Sequence, residues 1–425
     1  METVLSLEAA DEAHPFGDLP APSAARPVRR SLWWTVHHWL GLKVSLLMTV
    51  ILLTGSFAVL AYEIDWLIFP AMRVQPLDRP YASWGAWAAG VRAAEPKSDI
   101  VSLAYPLEPW YAARAMVVRR DGETVYLEID PWTARVRGAT PWVNAHRILR
   151  ELHRHLFLPL NVGVPLVGGF GVILLGSMVT GLVAYKKFWR GFLRVPRWRR
   201  GRTGELRKFV GDLHRFTALW SLWFVLLVGA TGTWYLVESL GADAPPLPAP
   251  TAGTAGWDAR GGQLDQAIAV AERAHPGLRI RNIQFPYEGD PGLIVEGQAE
   301  AILVRDRANA VYIDPESLKV LMATRGQQLN AHQRISEAAD PLHFGTWGGF
   351  TTKLIWFVFG LMLSSLSITG AMIYATRLKK AEAAREPSRR RDPLLLVWDG
   401  MGPFAYVIAA FLILAACYAP QAVAG

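Results

Sequence analysis

Two histidines in this chain stand at the same distance from the same dipeptide: His37 precedes Thr54-Gly55 by seventeen residues, and His214 precedes Thr231-Gly232 by seventeen. Imidazole is both a metal ligand and a proton carrier, and a ligating side chain at the edge of a long apolar run marks a functional position. Of the ten histidines, His37 and His38 open the first apolar run, His153 and His155 the second, His214 the third and His343 the fourth. If successive helices alternate in direction, His37 and His214 fall at one membrane face and His153 and His343 at the other. Each face then carries an opposed pair.

Paired imidazoles from facing helices suit a haem iron, which needs an axial ligand on each side of the porphyrin to act as a pure electron carrier. Cys417 is the lone cysteine, so covalent haem attachment, iron–sulfur clusters and intrachain disulfides are excluded. The expected cofactor is therefore haem b, two per chain, each held by two histidines. The shared spacing favours His37 over His38, because adjacent helix positions point about 100° apart and only one can face a partner. His153 is favoured over His155 because Leu152-His153 matches Leu342-His343. Arg154 and Arg215 each follow a candidate ligand directly, where a guanidinium can pair with a haem propionate. His146 and His332 form a further layer, each in Asn-Ala-His, and are candidates to ligate, to line the approach to a haem or to join the outer modules. Zinc is the chemical rival, but two histidines without nearby cysteine or carboxylate fall short of its usual three or four protein ligands.

Long apolar elements must position these residues. The chain has 425 residues, 52% of them hydrophobic, with 18 tryptophans, too apolar for one soluble core. Five runs, about 39–62, 157–185, 216–237, 350–374 and 401–419, reach the ~20 residues that cross a bilayer. The first is too long for the apolar core of a signal peptide, so an uncleaved helix is expected. Lys43 and Lys353, inside apolar runs, are expected to snorkel or to contact a propionate. Trp39, Trp220, Trp223 and Trp356 fit either an interfacial belt or packing against a flat cofactor.

The net charge of +8 sits in short loops rather than on a nucleic-acid surface. Lys186 to Lys208 is strongly basic, as is Arg377 to Arg391, and Arg29 and Arg30 precede the first run. Short basic loops stay cytoplasmic, which puts the N-terminus inside, the C-terminus outside and two long inserts on the outer side. The expected order is a tail (1–30), first span (31–64), outer module (65–150), second span (151–186), basic loop (187–210), third span (211–238), second outer module (239–342), fourth span (343–376), basic loop (377–398) and fifth span (399–420).

The chain is a tandem repeat. Gly171 precedes Thr180-Gly181 by nine residues and Gly360 precedes Thr369-Gly370 by nine, so four spans each carry Thr-Gly. Each insert has an amphipathic stretch (84–94 and 264–274), then a strand ending in Asp130-Pro131 or Asp314-Pro315. One helix on a short antiparallel sheet is expected in each, with a Pro/Gly/Ala-rich joint at 242–262 before the second. The Thr-Gly pairs by themselves are equally explained as helix-packing residues retained after duplication.

The opening His37-His38-Trp39-Leu40-Gly41-Leu42 resembles the His-Arg-Trp-Leu-Gly-Leu start of PepSY-associated transmembrane proteins. Leu152-His153-Arg154, Leu213-His214-Arg215 and Leu342-His343-Phe344-Gly345 resemble that family's other helix openings, and the Asp-Pro strands are similar to PepSY modules. The resemblance spans about 30–380, and His38 departs from it where arginine is usual. It implies a membrane α-helical bundle, with a four-helix haem-binding core from two tandem repeats, a fifth C-terminal helix and two small α+β PepSY-like periplasmic modules. Members include bacterial inner-membrane ferrisiderophore reductases, which implies transmembrane, haem-dependent reduction of a ferric siderophore or other ferric chelate on the periplasmic side. No GxGxxG lies between a strand and a helix, so the electron donor is expected to be a cytoplasmic reductant or a quinol. Nucleic acid is not an expected partner. Two rivals remain at this point: a non-enzymatic membrane-anchored periplasmic binding module, and a transporter with its site at the repeat interface.

Overall fold

The computed structural model describes residues 31–185, 187–198, 205–251, 261–286, 292–385 and 392–424. The N-terminal tail, Lys186, the basic segments 199–204 and 386–391, and most of the joint at 252–260 lie outside the described residues.

Four described helices are long and apolar enough to cross a membrane: α6 (Leu160–Ala184), α8 (Leu222–Ser239), the Thr346–Lys379 stretch that contains most of α11 (Gly349–Arg385), and α13 (Pro403–Ala424). The first expected span is broken. It consists of α1 (Leu32–Lys43) and α2 (Ser45–Val59), bent by 67°, and it is a fifth span if counted as one. Beyond the bend α3 (Ala61–Ile68) leads into the first insert. Ahead of α8 stands α7 (Glu205–Trp220), which carries His214. After α11, the short α12 (Pro393–Met401) returns to α13.

Small residues set the helix packing. A Cβ added at Gly171 would meet the Thr233 nitrogen at 2.7 Å, so α6 and α8 touch at backbone distance. One added at Gly360 would meet Ser56 Oγ at 2.5 Å, which joins α11 to α2 in the same way. Glycines at such crossings let backbones approach where side chains would hold them apart.

The two inserts form one sheet, not the two separate ones the repeat suggested. β1 (Asp99–Ala104), β2 (Ala113–Val118), β3 (Thr124–Ile129) and β4 (Val136–Pro141) come from the first insert, and β5 (Arg279–Gln284), β6 (Leu293–Gln298), β7 (Ala310–Ile313) and β8 (Val320–Ala323) from the second. The order is β4-β3-β2-β1-β5-β6-β7-β8, antiparallel throughout. At the seam Leu103 pairs with Ile283, so the exposed edge of each half is covered by the other. α4 (Trp84–Ala94) and α9 (Gly261–Ala274) lie on one face. Trp87 of α4 and Leu264 of α9 share one buried cluster with Leu127, Ile129, Leu293 and Ile313 of the strands. Asp265 of α9 accepts from Ser83 Oγ and from the Gly85 amide at 2.8 Å each, so one half caps the other's helix. Asp130 and Asp314 do equivalent local work: each carboxylate accepts from the amides two and three residues on, which closes the turn after β3 and after β7.

Candidate functional site

The strands β4 and β8 each hand the chain to a helix that carries a candidate ligand: α5 (Ala145–His155) and α10 (Ala331–Phe344). The Asn-Ala-His repeats are the starts of these helices. Asn144 accepts from the Arg147 amide at 2.9 Å, and Asn330 from the Gln333 amide at 2.9 Å, with Gln333 reaching back to close a capping box. Because the cap fixes where each helix begins, it also fixes the register of His153 and His343 further along. α5 stops at left-handed Leu156 and Phe157 before α6 begins, whereas α10 runs on through Pro341.

The histidines meet as two pairs. The rings of His153 and His343 lie 6.0 Å apart between centroids near the sheet, and those of His37 and His214 lie 6.4 Å apart at the far end of the bundle. Two imidazoles binding one metal from opposite sides, with metal–nitrogen bonds of about 2.0–2.1 Å, place their centroids about 6 Å apart. Both separations therefore suit a shared iron. Each pair joins one residue from each repeat.

Every one of these rings is also held at Nδ1 by the other span of its own repeat. His37 Nδ1 lies 3.0 Å from the Ser177 carbonyl and 3.2 Å from Thr180 Oγ1. His153 Nδ1 lies 2.9 Å from the Ile51 carbonyl, which also accepts from Thr54 at 3.1 Å. His214 meets Thr369 Oγ1 at 2.9 Å and His343 meets Thr231 Oγ1 at 2.7 Å. Three of the adjoining glycines face the ring edge: a Cβ on Gly55 would stand 2.5 Å from His153 Cε1, one on Gly181 3.1 Å from His37 Cε1, and one on Gly370 3.6 Å from His214 Cε1.

The remaining histidines are placed elsewhere. His38 stacks on Trp34 and tilts against Tyr374, on the wall of the cavity around the far pair but not paired with His214. His155 is buried and bonded to Glu151 and to the Leu158 carbonyl, so both its nitrogens are engaged in closing the end of α5. His146 stacks on Tyr62 with centroids 4.0 Å apart, and its ordinary pKa is pushed down to about 4 by burial and by the cations Arg150, Arg114 and Lys353. It is a neutral ring wedged between the sheet and the bundle. His332 presents its edge to Trp234.

A cavity of about 1230 Å³ opens around the far pair, lined by His37, His214, Leu52, Met178, Val225 and Leu363 among others. That exceeds the roughly 300–1,000 Å³ of ordinary ligand and cofactor sites, so a haem fits there. Arg207, Lys208, Arg215, Arg377 and Lys379 stand on its wall. Four of these sequence reading had counted only as loop charge. Arg215 also pairs with Asp212, while Arg154 is exposed and lies off this wall. His153 and His343 have the spacing for a shared metal but are not on the wall of this cavity. The two lysines in apolar runs have other partners. Lys43 Nζ donates to the Gly400 carbonyl at 2.8 Å, and Lys353 pairs with Glu63. Among the described residues no group of three or more His, Cys, Asp or Glu could hold a metal ion.

Comparison with known proteins agrees with this architecture, for the sequence matches the PepSY-associated TM region over residues 34–377. The chain belongs to the PepSY-associated transmembrane family. It is also 39% identical over 108 residues to the Uncharacterized protein PA4219 of Pseudomonas aeruginosa, a match covering 25% of this chain and 24% of that protein. The chain thus spans about a quarter of that relative's length. The family match begins just before His37 and ends at Arg377, so it takes in all four paired histidines and both halves of the sheet.

Proposed function

We propose that this membrane protein is a haem-b oxidoreductase that carries electrons outward across the bacterial inner membrane to a ferric chelate, such as a ferric siderophore. The observation that carries the reading is the two facing histidine pairs, 6.0 and 6.4 Å apart, drawn from matched positions of two repeats. Haem, when bound, supplies a one-electron ferric/ferrous couple. His37 and His214 would hold one haem within the large cavity, where Arg215, Arg207, Lys208, Arg377 and Lys379 would neutralise its propionates. His153 and His343 would hold a second near the sheet, supported by their spacing.

Leu52, Met178, Val225 and Leu363 on the cavity wall would keep water from a haem held there. The basic segments that flank the far pair in sequence support a cytoplasmic far end and a periplasmic sheet. A ferric chelate at the periplasmic face would accept one electron per iron and release it, since hard oxygen donors hold ferrous iron less tightly. The electron is supplied by a quinol or a cytoplasmic reductant.

The test is the visible spectrum of the detergent-purified full chain, oxidised and dithionite-reduced, with haem counted as the pyridine haemochrome. Two low-spin b-type components are expected. His37→Ala and His343→Ala should each remove a different one, and the reduced protein should be reoxidised by a ferric hydroxamate. A protein that stays colourless when expressed with ample haem ends the proposal.

A further inference from the structure

The repeated Thr-Gly dipeptides are not spent on the helix that carries them. Thr180-Gly181 and Thr54-Gly55 adjoin histidines of each other's span in the first repeat, the latter through Gly55, and Thr231 and Thr369 do the same in the second. In three of the four cases the hydroxyl is the contact. Its chemistry there is constrained, because a threonine hydroxyl has one proton to give. Thr180 gives it to the Gly176 carbonyl at 2.7 Å, Thr369 to the Ser365 carbonyl at 2.6 Å, and Thr231 to the Leu227 carbonyl at 2.9 Å. Toward the histidine each oxygen can then only accept. His153 reaches the same state through the Ile51 carbonyl, which has no proton to offer.

We infer that these contacts lock all four imidazoles into one tautomer, with the proton on Nδ1 and the lone pair on Nε2. Thr180, Thr231 and Thr369 are therefore positioning residues for the metal-binding nitrogens. The inference rests on the haem reading above and deepens it. It explains why the dipeptide recurs seventeen residues after both His37 and His214 without serving either: the histidine of one span is served by the Thr-Gly of its neighbour, which runs the opposite way. An accepting partner on the far nitrogen orients the ring, excludes the other tautomer and raises the basicity of the ligating nitrogen. The glycine beside each of Thr54, Thr180 and Thr369 clears the space that the ring edge occupies.

Thr369→Val keeps the shape and removes the hydroxyl acceptor, as does Thr231→Val, whereas Thr180→Val leaves His37 the Ser177 carbonyl at 3.0 Å. Each is made in the full chain and purified with its haem. Thr369→Val should weaken haem retention about tenfold and raise the midpoint potential of the component that His37→Ala removes, leaving the other in place, and Thr180→Val should do so to a smaller degree because the Ser177 carbonyl still accepts from His37. Thr231→Val should do so for the component that His343→Ala removes. Thr369→Ser, which restores the hydroxyl, should return both readouts to the parent values.

The retained second component shows that each variant is folded. If the wild-type protein carries two components and all three valine variants match it in haem content, spectrum and potential, the inference is overturned while the haem reading stands. Equal loss of both components from any one variant, with no rescue by serine, also overturns it, since that marks a packing role. A wild-type protein without haem ends the reading itself.

Discussion

Alanine at three glycines should separate steric room from helix propensity, because the space beside each is graded. A Cβ on Gly55 would come within 2.5 Å of His153 Cε1 and 2.8 Å of its Nδ1. Carbon atoms rest about 3.5–4.0 Å apart, so the ring must retreat by about 1 Å. The ring has little freedom to do so while Nδ1 stays bonded to the Ile51 carbonyl. Overpacking of this size costs ~1–3 kcal/mol, against a gain of ~1 kcal/mol for replacing glycine inside a helix. Gly55→Ala should therefore lower stability by up to ~2 kcal/mol. It should also lose the low-spin signature of the component that His343→Ala removes, since a ligand bond of about 2 Å does not survive a shift of half its length.

At Gly370 the new atom would sit 3.6 Å from His214, an ordinary contact, so Gly370→Ala should keep its helix gain of ~0.5–1 kcal/mol and leave the spectrum alone. Gly181→Ala, at 3.1 Å from His37, should fall between them. Thermal melting of the purified protein and its reduced spectrum read the two effects separately. If Gly55→Ala is as stable and spectrally intact as Gly370→Ala, the rings are not where the structure puts them.

Two further perturbations test the ion pairs of α10 and of the α3–α11 contact. Burial works to raise the Glu337 carboxyl, but hydrogen bonds and charge from Arg305 and Arg307 outweigh it and hold the group below its usual value. A depressed pKa contributes stability above the ordinary carboxylate value of about 4.3 that is lost as pH falls through the lower folded value. The melting temperature of the wild type should therefore drop more steeply below about pH 4.3 than that of Glu337→Gln, and parallel curves would remove this carboxylate from the account of α10. At the other end of the sheet interface, Glu63→Gln or Lys353→Met alone should each cost about 3–5 kcal/mol, because it leaves its partner charged inside the bundle. The double variant should recover most of that; melts in which the double loss equals the sum of the single losses would show that the pair is not coupled.

Much of this site was legible because it is local or repeated. The spacing of His37 and His214, the Leu-His openings of the other two, and the Asp-Pro turns are short patterns that duplication prints twice. The 84–94 helix was visible from its amphipathic period. What escaped was everything set by contacts between distant segments. The seam between Leu103 and Ile283 joins strands 180 positions apart, and an open edge leaves no trace of which edge will cover it. The bend between α1 and α2 lies in a continuous apolar run with no proline to mark it. Asn144 and Asn330 were noticed for the histidine two residues on, yet their work is to start the helices that deliver a different histidine. Helix caps were the available signal, since Asn330 with Gln333 three residues later is a capping box in sequence.

The repeat also explains why the pairs must be crossed between halves. In a four-helix bundle each helix has two close neighbours and one diagonal partner, and here each relation has its own chemistry. Glycine crossings, Gly171 against α8 and Gly360 against α2, join the halves side by side. Threonine and carbonyl contacts to Nδ1 join the two spans within each half. The diagonal relation is left for the histidine pairs, which meet across the bundle axis from α1 to α7 and from α5 to α10. A flat cofactor between His37 and His214 would meet apolar side chains of all four spans, since Leu52, Met178, Val225 and Leu363 line that cavity. Within one half, the spans face each other as close neighbours whose histidines lie at opposite ends, so a single repeat could form neither pair. Both pairs therefore need both halves, and separating the halves should abolish both pairs together.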